Sequence, residues 1–278
     1  MLKIMVLGLG FVGGAMYKCF QEKGYVENIN LFGYDKYNNE RGTGKLEDLS
    51  YCDIVFMALP TIYSQEKGAY DISSLYEVCE KLVNMKYSGA VVIKSTVEPK
   101  TIEKLSQDYP TLSLIHNPEF LTARTALKDF TEQNHIVIGR GSTCTDENLE
   151  KVIHFYKTTF PYADISTVTS TESETMKLFS NCFYAMKVQI FTEFYLLCQK
   201  TNCDFSQIAK LMIKNGWINP MHTNVPGPDG QISYGGLCFP KDTNALKMYM
   251  KNNDSPCAIL EATIKERNSM RIDNDNCK

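Results

Sequence analysis

The stretch "YGGLCFPKD", residues 234–242, sets a cysteine between a glycine pair and a proline, with a lysine and an aspartate behind it. A thiolate is a strong nucleophile, and so glycine-rich a loop is a poor setting for a buried structural cysteine. Cys238 is therefore the first candidate for chemistry. Lys177 and Asn181 stand four residues apart in a segment of helical pattern, so both point to one side of that helix. A lysine and an amide placed together can polarise a substrate oxygen. Considered alone, a solvated Lys177 and a capping or core Asn181 account for them equally well.

A third group lies at the amino terminus. Gly8, Gly10 and Gly13, with Phe11 and Val12 between them, spell G-x-G-x-x-G directly after the apolar run Lys3 to Leu7. The first glycine permits a tight turn, the second lets backbone approach a pyrophosphate, and the third lets helix and strand pack closely. Asp35 closes the run "INLFGYD" about twenty residues beyond these glycines, where a carboxylate accepts hydrogen bonds from an adenosine ribose. The same carboxylate repels a 2'-phosphate, so the cofactor expected is NAD rather than NADP.

Elements that could position these groups follow from apolar periodicity. Short buried strands are expected at Lys3–Leu7, over "INLFGYD", and at Asp53–Leu59, Ala90–Lys94, Leu112–His116 and His135–Gly139, with helical segments between them. That cadence predicts an α/β fold, a Rossmann-like doubly wound NAD-binding domain over residues 1–169. From Ser170 the pattern turns helical, and an all-helical central domain carrying Cys238 is expected over 170–278. Met176, Phe179, Phe183, Met186, Ile190, Phe194 and Leu197 recur at spacings of three and four, which describes one long helix with a wide apolar face. Such a face exceeds what a small helical domain covers by itself, so a homodimer through this helix is predicted.

Composition sets the outer bounds. With 278 residues, 44% apolar and 22% charged, the chain can bury a full core in one or two domains. A net charge of -3, without a basic stripe, argues against a nucleic-acid partner and for a small molecule. The early lysine and apolar run look like a leader, but the glycines make that segment a strand, turn and helix, and no apolar run is long enough to predict a membrane span. The ten cysteines, at 19, 52, 79, 144, 182, 198, 203, 238, 257 and 277, form no close pairs and read as reduced thiols of a cytoplasmic protein. His116, His135, His154 and His222 show no metal-ligand spacing, and no metal site is expected.

The strings "GLGFVG", "ALPT" at 58–61, "KSTV" at 94–97, "NPEFL" at 117–121, the Lys177 and Asn181 helix, and "YGGLCFPKD" occur in one order and rough spacing. In these the chain resembles the UDP-glucose/GDP-mannose dehydrogenase family, from residue 1 to about 272. The resemblance implies NAD-dependent oxidation of a nucleotide sugar's C6 alcohol to the acid, in two steps at one site. It makes Cys238 the nucleophile: the thiolate adds to the aldehyde, and the thiohemiacetal gives up a second hydride to leave a thioester for water. Lys177 would stabilise the developing oxyanion, Asn181 would hold the same oxygen, and Asp242 would order water or share the proton. Thr96 and Glu119 would place water, Glu119 at the thioester step.

The resemblance further implies cofactor contacts at Gly8, Gly10, Phe11, Val12, Gly13, Asp35, Lys36, Pro60, Thr61, Thr96, Glu119 and Lys241. Sugar contacts are implied at Glu119, Phe120, Leu121, Lys177, Asn181, Tyr234, Gly235 and Gly236, the glycines leaving room beside the backbone. "HTNVP" and the cysteine string look most like the UDP-glucose branch of the family, with GDP-mannose and nucleotides of N-acetylated hexosamines as the alternative substrates. Ala123 stands where a second glutamate is common, and Trp217 near where an arginine reaches the neighbouring subunit's sugar. Family members continue past the region of resemblance into a second nucleotide-binding domain, without which weak binding of the nucleotide half is expected. Two other classes stay open: a one-step hydroxyacid dehydrogenase of the 6-phosphogluconate dehydrogenase type, and an inactive binding protein that keeps the NAD fold. One-step chemistry has no use for Cys238.

Overall fold

The computed structural model describes residues 2–37 and 44–271; Cys277 lies outside them. The chain begins with β1 (Ile4–Leu7), α1 (Phe11–Glu22), β2 (Leu31–Tyr34), a 3-10 helix (Leu46–Tyr51) and β3 (Ile54–Met57). A two-stranded ribbon follows, β4 (Ile62–Ser64) and β5 (Ala69–Asp71), and then α2 (Ser73–Asn84), β6 (Ala90–Ile93), α3 (Thr101–Asp108) and β7 (Ser113–His116). Next come α4 (Ala126–Thr131), β8 (His135–Arg140), α5 (Asp146–Thr159) and β9 (Asp164–Thr169). The remainder is helical: α6 (Ser170–Thr201), α7 (Phe205–Lys214), α8 (Phe239–Asn252) and α9 (Ala258–Met270). Two compact units result, one of Met1–Thr61 with Asp71–Lys177, the other of Ile62–Tyr70 with Leu178–Lys278.

The first unit is a seven-stranded sheet in the order β2-β1-β3-β6-β7-β8-β9. β1 pairs in parallel with both β2 and β3, so the strand order reverses there, the place where such sheets bind nucleotides. β3, β6 and β7 continue in parallel, whereas β8 meets β7 antiparallel and takes β9 as a parallel edge. Successive residues feed opposite faces, as the twofold period of a strand requires. Ile4, Val6, Ile54, Phe56 and Val92 pack with Met16 and Phe20 of α1 and Phe155 and Tyr156 of α5. Met5, Leu7, Val55, Met57, Val91 and Ile93 pack on the other side with Leu75 and Cys79 of α2 and Ile102 and Leu105 of α3. Both faces of the central strands are dry, which is why these strands read as unbroken apolar runs.

The regular elements after Ser170 are all helices, as expected, and the ribbon joins them from a distant part of the sequence to complete the second unit. Gly68, at φ +61, lies where an added Cβ would come 3.3 Å from Met248 Cε, so the ribbon's turn packs directly on α8. Phe191 and Cys198 of α6 bury against Phe205 and Ala209 of α7. Along α6 the buried face carries Leu178, Cys182 and Ala185, while Phe179, Phe183, Ile190 and Leu197 are 46–59% exposed. Among the described residues no helix is long and apolar enough to cross a membrane.

One buried acid links distant parts of the first unit. Glu174, fully buried on α6, accepts hydrogen bonds from the backbone N–H groups of Lys100 and Ile102, both at 2.7 Å. Those amides open α3, where Lys100 sits at φ +72 and no local side chain caps the helix. Glu174→Gln would turn an amino group toward one of the two donors and leave it unpaired. The expected cost is about 1–3 kcal/mol in urea-induced unfolding at about pH 9, above the value of about 8 to which burial pushes the Glu174 carboxyl; an unchanged midpoint and slope would show that the carboxylate does not hold α3.

Candidate active site

The turn from β1 into α1 is held backbone against backbone. A Cβ on Gly13 would stand 1.8 Å from the Gly8 carbonyl oxygen, and one on Gly8, at φ +82, would stand 2.5 Å from the Ala58 carbonyl oxygen. Neither position tolerates a side chain. Gly10 differs, because a Cβ there would meet nothing within 4 Å. Its space is open at the N-terminus of α1, where unpaired N–H groups favour an anion. Asp35 closes the turn from β2, with Oδ2 accepting from Leu9 N at 2.8 Å and Oδ1 from Tyr37 N at 2.9 Å. A bare glycine surface beside a fixed carboxylate fits the pyrophosphate and ribose of NAD.

Phe11 is exposed and Val12 half-buried in the same turn. Lys36 is exposed and pairs with Glu77 at 2.9 Å. Thr61 donates to the Thr96 carbonyl oxygen at 2.7 Å, and Ser95 to that of Leu59 at 2.6 Å, tying together the segments that leave β3 and β6. Pro60 is exposed beside them.

Asn117, Pro118 and Glu119 leave the end of β7 toward α6. Lys177 Nζ lies 3.4 Å from Glu119 Oε1, both side chains being largely buried. Glu119 Oε2 accepts from Leu121 N at 2.6 Å, and the exposed Phe120 ring sits 5.2 Å from the Lys177 ammonium. Behind this pair is a residue to which the sequence reading gives no role. Lys94, buried at the end of β6, donates to Asn117 Oδ1 at 2.7 Å and to the Pro118 carbonyl oxygen at 3.4 Å. Tyr156 donates to the same Asn117 oxygen, whose amide group donates to the Val137 carbonyl oxygen at 2.6 Å. Burial pushes the Lys94 ammonium down to about 7, with Glu119 opposing that shift and Lys177 adding to it. A lysine closing the run "AVVIK" was the available signal. His116 is also wholly buried, which pushes it down to about 3 and keeps it neutral, with Nδ1 2.8 Å from Ser173 Oγ.

The second unit gathers its polar groups on Asp242, which is entirely buried in the first turn of α8. Its Oδ1 accepts from Tyr70 and from Lys241 Nζ, each at 2.5 Å, and its Oδ2 from Asn181 Nδ2 at 2.6 Å. The Lys241 ammonium also lies 4.6 Å from the Tyr70 ring centroid. Lys241, expected at the cofactor, and Asn181, expected at a substrate oxygen, are thus both engaged on this carboxylate. Tyr70 is the partner that the sequence reading misses.

Cys238 is exposed at the N-terminal boundary of α8, its carbonyl oxygen accepting from Asp242 N at 2.9 Å. Gly236, at φ +77, has open space around it. Gly235 does not: a Cβ there would stand 2.4 Å from the Arg271 guanidinium, so its smallness serves an arginine rather than room for a ligand. Tyr234 is buried, and Leu237 is 69% exposed beside the thiol. Ala123 and Trp217 both lie exposed.

A sheet whose strand order reverses at a glycine turn, continued by a helical unit with an exposed cysteine, defines a dinucleotide-binding α/β protein with an appended helical domain. The NAD-binding domain model of the UDP-glucose/GDP-mannose dehydrogenase family matches residues 35–159, and that family's central-domain model matches residues 171–269. The chain belongs to this family. It is 32% identical over 235 residues to UDP-glucose 6-dehydrogenase of Rickettsia bellii, an alignment covering 82% of this chain and 52% of that protein. The chain thus spans about half the length of that relative. A solved UDP-glucose dehydrogenase from Pyrobaculum islandicum superposes with a TM-score of 0.81 at 23% identity, covering 97% of this chain and 68% of that one. A 3-hydroxyisobutyrate dehydrogenase of Mycobacterium tuberculosis shares the fold at a TM-score of 0.75 and 15% identity, over 98% of this chain and 94% of that one.

The depressed Lys94 titration makes a signed prediction. Folded Lys94 prefers to be neutral above about 7, whereas an unfolded lysine keeps its proton up to the ordinary value of 10.5. Its contribution to stability is therefore complete above the ordinary value and is lost as pH falls toward the folded one. Urea unfolding of the wild type and of Lys94→Met from pH 7 to pH 10 should show the wild type gaining on the variant as pH rises. Parallel curves would mean that Lys94 titrates normally.

Proposed function

We propose that the chain holds the catalytic core of an NAD-dependent nucleotide-sugar 6-dehydrogenase, oxidising the C6 alcohol of UDP-glucose to the acid of UDP-glucuronate. The observation that carries this reading is the exposed Cys238 thiol at the start of α8, one turn before the buried Asp242. When bound, NAD supplies the hydride acceptor for each of the two oxidations. The Gly8 to Gly13 turn and Asp35 hold it, with Pro60, Thr61 and Thr96 lining the neighbouring strand ends.

The chain's own groups supply the rest. Lys177 stabilises the charge that builds on the substrate oxygen, and its ion pair with Glu119 keeps the ammonium oriented. Cys238 adds to the aldehyde carbon, which makes an otherwise inert carbonyl able to lose a second hydride. At the first turn of α8 the unsatisfied backbone N–H groups favour negative charge, the form in which a thiol attacks. Glu119 then orients water toward the thioester. The scattered spacing of the ten cysteines supports a reducing, cytoplasmic setting. The one-step hydroxyacid dehydrogenase reading shares the fold but leaves Cys238 without a task.

A second copy of the chain is the proposed partner of α6. Phe179, Phe183, Ile190 and Leu197 expose four large apolar side chains along one stripe of this helix, and a symmetric pairing of two such stripes buries both. The wild type should run as a dimer in light scattering at roughly tens of micromolar, and Phe183→Glu combined with Ile190→Glu as a monomer. A monomeric wild type would overturn this part.

For the chemistry, the purified chain with UDP-glucose should yield two NADH per sugar oxidised. Cys238→Ser should lose the second oxidation or stall as a slowly hydrolysed oxygen ester, because an alkoxide forms less readily than a thiolate. NAD binding, titrated separately, should barely change. A Cys238→Ser protein that still gives two NADH per sugar at the wild-type rate would sink the mechanism.

A further inference from the structure

The loop leading into Cys238 is gripped from two sides by residues to which none of the roles above is given. On one side Ser233, held at the left-handed φ of +62, donates its N–H to Thr192 Oγ1 at 3.0 Å and its hydroxyl to Gln189 Oε1. Gln189 in turn donates to Glu266 Oε2 at 2.7 Å. On the other side stand two buried arginines, four residues apart on and just past α9. Arg267 Nε donates to the Tyr234 carbonyl oxygen at 3.2 Å, its guanidinium 5.8 Å from the Tyr234 ring centroid. Arg271 donates through one amino group to the carbonyl oxygens of Ser233 at 3.1 Å and Ile232 at 3.3 Å, and through the other to Asp229 Oδ2 at 2.5 Å.

Three consecutive peptide carbonyls, at 232, 233 and 234, are therefore fixed by two guanidinium forks. A lysine could not reproduce this, since it offers a point charge where the forks offer several donors in one plane. The next two residues are Gly235 and Gly236, the most freely rotating pair available to the chain. Downstream, Cys238 is anchored through α8 and the buried Asp242. Upstream, the arginine clasp ends at the first of the two glycines.

We propose that Arg267 and Arg271 are positioning residues for Cys238: by clamping the carbonyls of Ile232, Ser233 and Tyr234 they hold the glycine loop so that the thiol stays at the N-terminus of α8. The proposal rests on the reading of Cys238 as the nucleophile, but its test does not need turnover. Alkylation of the intact chain by iodoacetamide, followed by peptide mass spectrometry, gives the rate at Cys238 relative to the exposed Cys203, which serves as an internal reference.

Since Cys238 is already exposed, freeing the loop gains little access and loses the helix terminus that favours its thiolate. Arg271→Met should lower the Cys238 to Cys203 ratio by about two- to fivefold, with Arg271→Lys recovering only part of it. Asp229→Asn keeps the guanidinium but removes its ionic partner, and should lower the ratio by a smaller factor; it decides the matter if Arg271→Met does not fold. A ratio unchanged in Asp229→Asn and in every folded Arg271 variant overturns the clasp, even if NADH is formed. A lowered ratio in a chain that forms no NADH supports the clasp and counts against the dehydrogenase reading instead.

Discussion

The carboxylate of Asp242 is the constraint around which the second unit is arranged. A buried acid without partners is too costly to keep, so this position obliges the fold to bring donors to it from wherever the chain can provide them. Tyr70 comes from the ribbon, Asn181 from α6 and Lys241 from the adjacent residue of α8. The ribbon belongs to the second unit for this reason as much as for its apolar contact with Met248. Fixing Asp242 also fixes the first turn of α8, and with it the backbone of Cys238. An ammonium carries three N–H donors and a primary amide two, so one hydrogen bond to Asp242 does not by itself bar Lys241 or Asn181 from a ligand oxygen.

Much of the first unit was legible in the sequence because its signals are local. Strands such as "IMVL" and "AVVI" are dry on both faces, so they appear as unbroken apolar runs, and the glycine turn announces itself by spacing. β9 was not legible: it lies at the sheet edge with none of its residues buried, and "DISTVT" carries no apolar run. The ribbon was missed because its two short strands sit inside the sequence span of one unit and pack in the other. Tyr70 and Asp242 are 172 residues apart, and no periodicity connects them. The sense of Gly235 was hidden likewise, since a glycine that makes space for a guanidinium looks the same on paper as one that makes space for a ligand.

α6 shows how a pattern can be read correctly and its direction still depend on the fold. The stripe of large apolar residues at helical spacing is present, yet the side buried within the unit carries Leu178, Cys182, Ala185, Gln189 and Thr192, a smaller and more polar set. Periodicity reports that a helix has two unlike faces and does not say which is turned inward. The polar inward residues have a use: Gln189 and Thr192 hold the strained Ser233, and Asn181 serves Asp242. Phe191 is buried against α7, but Phe179, Phe183, Ile190 and Leu197 are left for the outside, and four such residues along one stripe exceed the scattered apolar exposure normal for a protein surface.

The shared fold cannot choose between one-step and two-step oxidation, since a 3-hydroxyisobutyrate dehydrogenase has the same architecture. The choice turns on what a thiol must do across two steps. In the proposed chemistry the carbon stays bound to Cys238 while a second hydride departs and water then arrives, so the sulfur must keep one position through events that differ in charge and geometry. A cysteine on a freely rotating glycine loop would lose that registration between the steps. Anchoring one side of the loop through a buried, triply hydrogen-bonded aspartate and the other through two buried arginines removes that freedom while leaving the thiol itself exposed. The glycines then supply the turn, and the polar groups on either side supply the rigidity that glycine by itself cannot.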